Sequence, residues 1–264
     1  YGYENRTVIV YQLKKRFVFS ILITSLDGLK RIILTINNLF VSMHIGNFVT
    51  IKKEKNKMKY EWKKNDKQFY LPKENPETIV IPKFKFYSIE GKGNPNDDFF
   101  AEYIGVLYSL SYAIKMSPKQ GIAPRDYFEY TVFPLEGVWD IDDKAKEKYN
   151  GIIDKNSLVF KLMIRQPDFV TNEFALEIIE RTKKKKPHHL LDKVKFEIIE
   201  EGLCVQMLHR GSYDSEPESF DKMEIFTNDK KMKRTSQTHR EIYLSDARKV
   251  SPEKLKTVLR FKVE

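Results

Sequence analysis

Residues 83–263 run through one order of local signals twice, and this duplication narrows the available folds more than any other feature of the chain. Lys83 to Glu90 alternates, with Phe84, Phe86 and Ser88 opposite Lys85, Tyr87 and Ile89, which predicts a strand. The turn Gly91–Asn96 follows. A helix is predicted over about 97–116, striped by Phe100, Tyr103, Ile104, Leu107, Ser111 and Ile114 and closed by Pro118 and Gly121. Strands are predicted over 127–138, broken near Pro134, and over 158–166. A helix over 170–184 with Thr171 as N-cap separates the halves. The order then returns. Strands over 193–200 and 203–210 read as a hairpin around Gly202, and Gly211–Asp214 is a turn. Ser215 and Glu218 read as the capping box of a helix striped by Phe220, Met223 and Phe226, with Pro217 in its first turn. Strands over 240–247 and 255–263 end the chain.

Two such units, at about 83–166 and 203–263, can join their sheets. The expected class is α+β: a duplicated strand–helix–strand–strand module with pseudo-two-fold symmetry. Its antiparallel sheet would carry helices on one face and a ligand cleft on the other. Identity between the halves is low, so the repeat is architectural. Residues 58–80 read as an extended lead-in, with Pro72 and Pro76 against helix and Trp62, Phe69 and Tyr70 as anchors.

The net charge of +10 points first to a nucleic-acid partner. Its placement removes that reading. Residues 1–57 hold ten Lys/Arg and three Asp/Glu, whereas the other 207 residues hold 37 and 34, a balance of only +3. No direct nucleic-acid contact is expected. The first 57 residues stand apart in other ways. Phe17–Val41 is apolar but interrupted by Asp27, Lys30 and Arg31, which argues against a membrane span. The triplet Lys52-Lys53-Glu54 can be encoded by a purine run resembling a ribosome-binding sequence, and Met58 follows at a fitting distance. Residues 1–57 are therefore read as translated upstream sequence, with 58–264 as the domain. The alternative is a disordered or helical extension that docks on the body or on a membrane surface. One cysteine, Cys204, excludes an intramolecular disulfide framework and points to a cytoplasmic protein with no membrane partner.

Several chemistries are unsupported. Gly91-Lys92-Gly93 lacks the third glycine of a dinucleotide fingerprint, because Asn96 stands there. There is no phosphate-binding loop and no nucleophile elbow. His188 and His189 read as a loop pair, His209 and His239 lack metal-ligand spacing, and no cofactor or metal is expected.

Met58–Trp62, Gly91–Pro95, Leu107–Leu110, Gly137–Trp139, Ile164–Asp168, Val205–His209 and Arg240–Arg248 together resemble the GyrI-like small-molecule-binding family, in its stand-alone bacterial branch. The resemblance runs from Met58 to the C-terminus. It implies a duplicated fold with a ligand cleft between the halves. It also implies kinship with effector-binding domains of multidrug regulators, with gyrase-modulating proteins, and with hydrolases that open cyclopropane-bearing, DNA-alkylating natural products.

Glu241 and Tyr243 lie two apart on a strand and share a face, opposite Ile242 and Leu244. Glu241 matches the family's pocket glutamate, so the resemblance makes it a general base toward water, with Tyr243 positioning the substrate. The same carboxylate would attract a flat cation, or it could merely pair with Arg240 or Arg248 at the surface. Trp139 and Tyr130 are candidate aromatic walls for a planar ligand, or ordinary packing. Tyr103, Tyr108, Met163, Met207 and His209 are candidates for either cleft or core. The expected partner is a hydrophobic, planar small molecule, cationic or neutral. The expected activity is its hydrolysis; the alternative is non-catalytic sequestration or sensing with a regulator or gyrase as partner.

Overall fold

The computed structural model describes residues 59–148 and 153–264 with their side chains, and the backbone of four strands within residues 8–44. The chain divides into two units, Tyr1–Met58 and Lys59–Glu264. In the first, β1 (Val8–Leu13), β2 (Phe17–Leu26), β3 (Leu29–Ile36) and β4 (Leu39–His44) pair in sequence order, all antiparallel. Residues 45–58, which carry the basic run and Met58, lie outside the described residues.

The second unit opens with two single-turn helices, α1 (Trp62–Asn65) and α2 (Lys67–Tyr70), then β5 (Glu77–Ile81). The first repeat is β6 (Phe84–Lys92), α3 (Phe99–Lys115), β7 (Leu135–Ile141), the short α4 (Asp143–Glu147) and β8 (Leu158–Gln166). Helix α5 (Asn172–Lys185) and β9 (Lys195–Ile199) lead to the second repeat. This is β10 (Gly202–Arg210), α6 (Glu216–Asp229), β11 (His239–Tyr243) and β12 (Lys256–Lys262). Thr171 caps α5 as expected, its Oγ1 accepting from Phe174 N at 3.2 Å. Among the described residues, no helix is long and apolar enough to cross a membrane.

The eight strands form one antiparallel sheet in the order β5-β10-β12-β11-β7-β8-β6-β9. Read outward from the β7–β11 seam, the two repeats have the same order, as a pseudo-two-fold axis requires. The edge strands are exchanged. β5 precedes the first repeat but pairs with β10 of the second, and β9 precedes the second but pairs with β6 of the first. The hairpin expected around Gly202 is therefore absent: β9 and β10 are neighbours in sequence and lie in opposite halves of the sheet. Exchange ties each half to the other by backbone hydrogen bonds, which local turn signals do not encode.

The placement of the cleft differs from expectation. Helices α3 and α6 cover the outer strands of one face. Phe100 of α3 meets Phe160 of β8 edge-on at 5.2 Å, and Met223 of α6 packs with Val205, Met207, Leu259 and Phe261. The central strands β7 and β11 are left open between the two helices, on this same face. The opposite face is covered by residues 60–73 and holds a buried ionic network. Arg240 Nη1 donates to Glu136 Oε2 at 2.5 Å, and Arg240 Nε lies 3.0 Å from Glu201 Oε1. Arg260 reaches Glu201 Oε2 at 3.1 Å, the Phe69 carbonyl at 2.6 Å and Gln206 Oε1 at 2.9 Å. Tyr70 donates to Glu136 Oε1 at 3.2 Å. These bonds fasten the lead-in segment to the sheet. Burial alone would raise the Glu201 pKa, but the charges of Arg240 and Arg260 outweigh it and hold the group below the usual carboxylate value.

Removing one partner of such a network leaves buried charge uncompensated. Arg240→Met is expected to cost about 3–5 kcal/mol of stability in urea unfolding at pH 7. Glu201 titrates below its unfolded value, so its contribution is present above about pH 4.5 and is lost as pH falls through the folded pKa. The gap between wild type and variant should therefore narrow under acid.

Candidate functional site

The uncovered seam is the floor of a cleft of about 1640 Å³. That exceeds the roughly 300–1,000 Å³ usual for a small-molecule site. Phe100, Ile104 and Tyr108 of α3 form one wall, and Tyr213, Glu216 and Phe220 at the start of α6 form the other. The floor carries Leu135 and Trp139 from β7, and His239, Glu241 and Tyr243 from β11. Trp139 stands 5.8 Å from Phe100, and Phe220 lies 4.7 Å from the His239 ring.

Register explains the arrangement. Glu241 lies directly opposite Gly137, and His239 opposite Trp139. Because Gly137 has no side chain, the Trp139 indole folds over it. A Cβ there would stand 2.7 Å from Trp139 Nε1 and 3.2 Å from the Tyr243 hydroxyl. Trp139 Nε1 donates to the Tyr243 oxygen at 2.8 Å, and Tyr243 donates to Glu241 Oε2 at 2.7 Å. His239 Nε2 donates to Glu241 Oε1 at 3.0 Å. Burial, then the charge of Glu241 and its hydrogen bond, push the Tyr243 pKa well up, so it remains a phenol donor. Burial and the Glu241 charge likewise push Tyr213 up to about 12.

A second carboxyl belongs to the site. Glu216, the first residue of α6, is 6% exposed and hydrogen-bonds to Glu241. Burial first, then the Glu241 charge, raise its pKa to about 10. Two carboxyl groups can share a hydrogen bond only with a proton between them. Glu241 already accepts from Tyr243 and His239, so Glu216 is the acid and Glu241 the carboxylate. Of about four lone-pair sites on a carboxylate, three are engaged and one is left for water.

His209 holds this end of α6 in place. Its Nε2 donates to Ser212 O at 3.0 Å and its Nδ1 accepts from Ser219 Oγ at 2.9 Å. Gly211 turns the chain here with φ 139°, a region closed to other residues, and a Cβ would meet Ser215 Oγ at 2.7 Å. Ser215 does not form the expected capping box; its hydroxyl donates to Ser212 O at 2.8 Å.

Of the residues picked from sequence, Glu241, Tyr243, Trp139 and Tyr108 line the cleft. The others do not. Tyr130 is 1% exposed, with its hydroxyl on Ser111 O at 3.3 Å, and lies in the core beside Phe128 and Phe169. Tyr103 packs edge-on against Phe160. Met163 lies on the opposite face, its sulfur accepting from Arg240 Nη1 at 3.3 Å. Met207 is core beneath α6, and His209 is a positioning residue. Glu216, Tyr213, His239, Phe100 and Phe220 were not singled out. The signal for Glu216 was its place in a helix opening after a glycine turn, but that alone reads as ordinary first-turn acidity. Among the described residues, Glu102, His188 and His189 bring possible metal-ligand atoms within 4.8 Å of one another. His188 Nδ1 accepts from Leu190 N, so its Nε2 carries a hydrogen toward Glu102 and offers a metal no lone pair.

The family model of the GyrI-like small-molecule-binding domain matches residues 74–264. This chain belongs to that family. Solved structures agree. A hydrolase from Listeria innocua is 35% identical, covering 78% of this chain and 100% of that one at a TM-score of 0.70. A second structure of a Listeria innocua hydrolase is 36% identical over the same shares at 0.71. A conserved Listeria innocua protein of uncharacterised function is 38% identical at 0.70. No curated relative matches the chain. Residues 74–264 therefore form a GyrI-like small-molecule-binding domain.

Two outcomes test the geometry. Gly137→Ala should drive the Trp139 ring off Tyr243, shift tryptophan emission and cost about 1–3 kcal/mol. Glu216 has a folded pKa raised above its unfolded value, so the stability it lends is complete below about pH 4.5 and is lost as pH rises toward 10. Glu216→Gln does not titrate. It should therefore gain on the order of 2 kcal/mol over wild type at pH 8 and little at pH 4.5, by denaturant unfolding at both values.

Proposed function

We propose that this chain binds and hydrolyses hydrophobic, planar electrophiles carrying a strained ring, of which cyclopropane-bearing, DNA-alkylating natural products are the model class. The observation that carries the reading is the Glu241 carboxylate, 9% exposed on the floor of an aromatic cleft, oriented by Tyr243 and Trp139 and with one acceptor position free. A carboxylate so placed can take a proton from water as the water attacks the ring carbon. Trp139, Phe100 and Tyr213 offer flat apolar surface on three sides. Tyr243 contributes by holding the base, because its phenol oxygen and hydrogen are both engaged. Water is the only co-reactant. The description of 35–36% identical relatives as hydrolases supports this reading.

A second reading rests on the same carboxylate. One buried negative charge among aromatic rings suits a flat cation, and a domain that only bound one would serve sequestration or sensing, with a transcription regulator or gyrase as its partner. Turnover separates the two. Incubated in buffer alone with a cyclopropane-bearing alkylator, the protein should yield a product heavier by one water in mass spectrometry. Glu241→Gln should lower the rate at least about 100-fold, a typical contribution of a general base, with ligand affinity kept within a few-fold. Saturable binding without product would favour the sensing role, and an unchanged rate in Glu241→Gln would remove it as the base.

A further inference from the structure

Glu216 has no role in the chemistry described so far, yet it is built into the cleft. Its Oε1 is buried and meets no hydrogen-bond donor of the protein, and the group lies against Glu241. The titratable and charged groups around the pair are Tyr213, Asp214, His239, Tyr243 and Asp246. Asp214 is engaged by Lys155 at 3.4 Å. Of these, His239 donates to Glu241 rather than to Glu216, and Asp246 engages Arg248 and Lys249. The start of α6 favours one negative charge on the pair, which Glu241 carries. An acid and a base thus stand side by side in one pocket.

We propose that Glu216 is the proton donor of this site: it carries the shared proton at neutral pH and gives it to the oxygen on which charge collects when the strained ring opens. This rests on the hydrolase reading and completes its balance. Glu241 removes a proton from water, and the water oxygen bonds to the ring carbon. The carbon–carbon bond of the cyclopropane breaks, and its electron pair moves through the conjugated system to the carbonyl oxygen. That oxygen takes the Glu216 proton. Glu241 is then protonated and Glu216 ionised, and one transfer across their hydrogen bond restores the starting state. Substrate and water are consumed in equal amounts, and no oxidant or reductant enters. The pair predicts a preference for electrophiles whose leaving atom needs a proton, meaning rings conjugated to a carbonyl.

The test compares wild type, Glu216→Gln and Glu241→Gln with a cyclopropane-bearing alkylator between pH 5.5 and 8.5. Gln keeps the shape of Glu216 and can still donate to Glu241 but has no acidic proton. The expected result is a loss of at least about 100-fold at pH 7 with binding kept. The residual rate should rise as pH falls, because bulk acid replaces the missing donor. Infrared difference spectra of the unliganded protein supply a second readout: a carboxylic-acid carbonyl band at pH 7 that disappears in Glu216→Gln. Turnover in Glu216→Gln within a few-fold of wild type, or a loss independent of pH, would overturn the proposal while Glu241→Gln still upheld the hydrolase. A missing infrared band would overturn it as well. An inert wild type would overturn the hydrolase reading, and proton delivery with it; the infrared band would then report only where the proton rests.

Discussion

The pairing of β7 with β11 joins the two repeats, and the site depends on it. Antiparallel register at this seam sets Glu241 across from Gly137 and His239 across from Trp139. The alternation of a strand then sends Glu241 and Tyr243 to the face between α3 and α6, and Arg240 and Ile242 to the other face. A slip of one residue would exchange these sets and bury Glu241 in the ionic network. The exchanged edge strands β5 and β9 guard against that slip, because each half of the sheet is closed by a strand from the other. Arg240, anchored by Glu136 and Glu201, pins β11 from beneath.

Electrostatics differ across the sheet. Beneath it, buried charges are matched by opposite charges, and Glu201 is held ionised by two arginines. Above it, two carboxyls are placed together, with His239 on Glu241 and no ion pair to Glu216 among the described residues, and burial first, then the Glu241 charge, drives Glu216 toward its neutral form. The first arrangement favours the folded state at neutral pH, and the second opposes it. A fold that retains an unfavourable buried acid in a cleft concentrates its strain where ligand chemistry would use it.

Much of this fold was legible in the chain. The 3–4 spacing of Phe100, Ile104, Leu107 and Ile114 defines α3, and the alternation over 83–90 coincides with β6. These signals are local and periodic. Strand exchange was not legible, since Gly202 carries the turn signal of a hairpin and only long-range pairing decides otherwise. The side on which the cleft opens was missed for a related reason. Alternation tells which residues share a face, but not which face the helices leave bare. Glu241 was legible through the resemblance to the family's pocket glutamate, Tyr243 because strand alternation puts it on the same face, and Trp139 because tryptophan is rare in this chain. Tyr130 was misplaced because Pro134 delays β7 to Leu135, which leaves Tyr130 in a single bridge with Tyr60. Glu216 was missed because its partner lies 25 positions away in sequence and meets it only through the packing of α6.

The central claim is that the floor between α3 and α6 receives the ligand with its reactive end at Glu241. A crystal structure of Glu241→Gln with an unreacted cyclopropane-bearing alkylator tests this most directly. The account predicts a planar ligand against Trp139, with the ring carbon one water molecule from residue 241. A ligand seated elsewhere, or in the cleft with its ring turned away from that position, would contradict it.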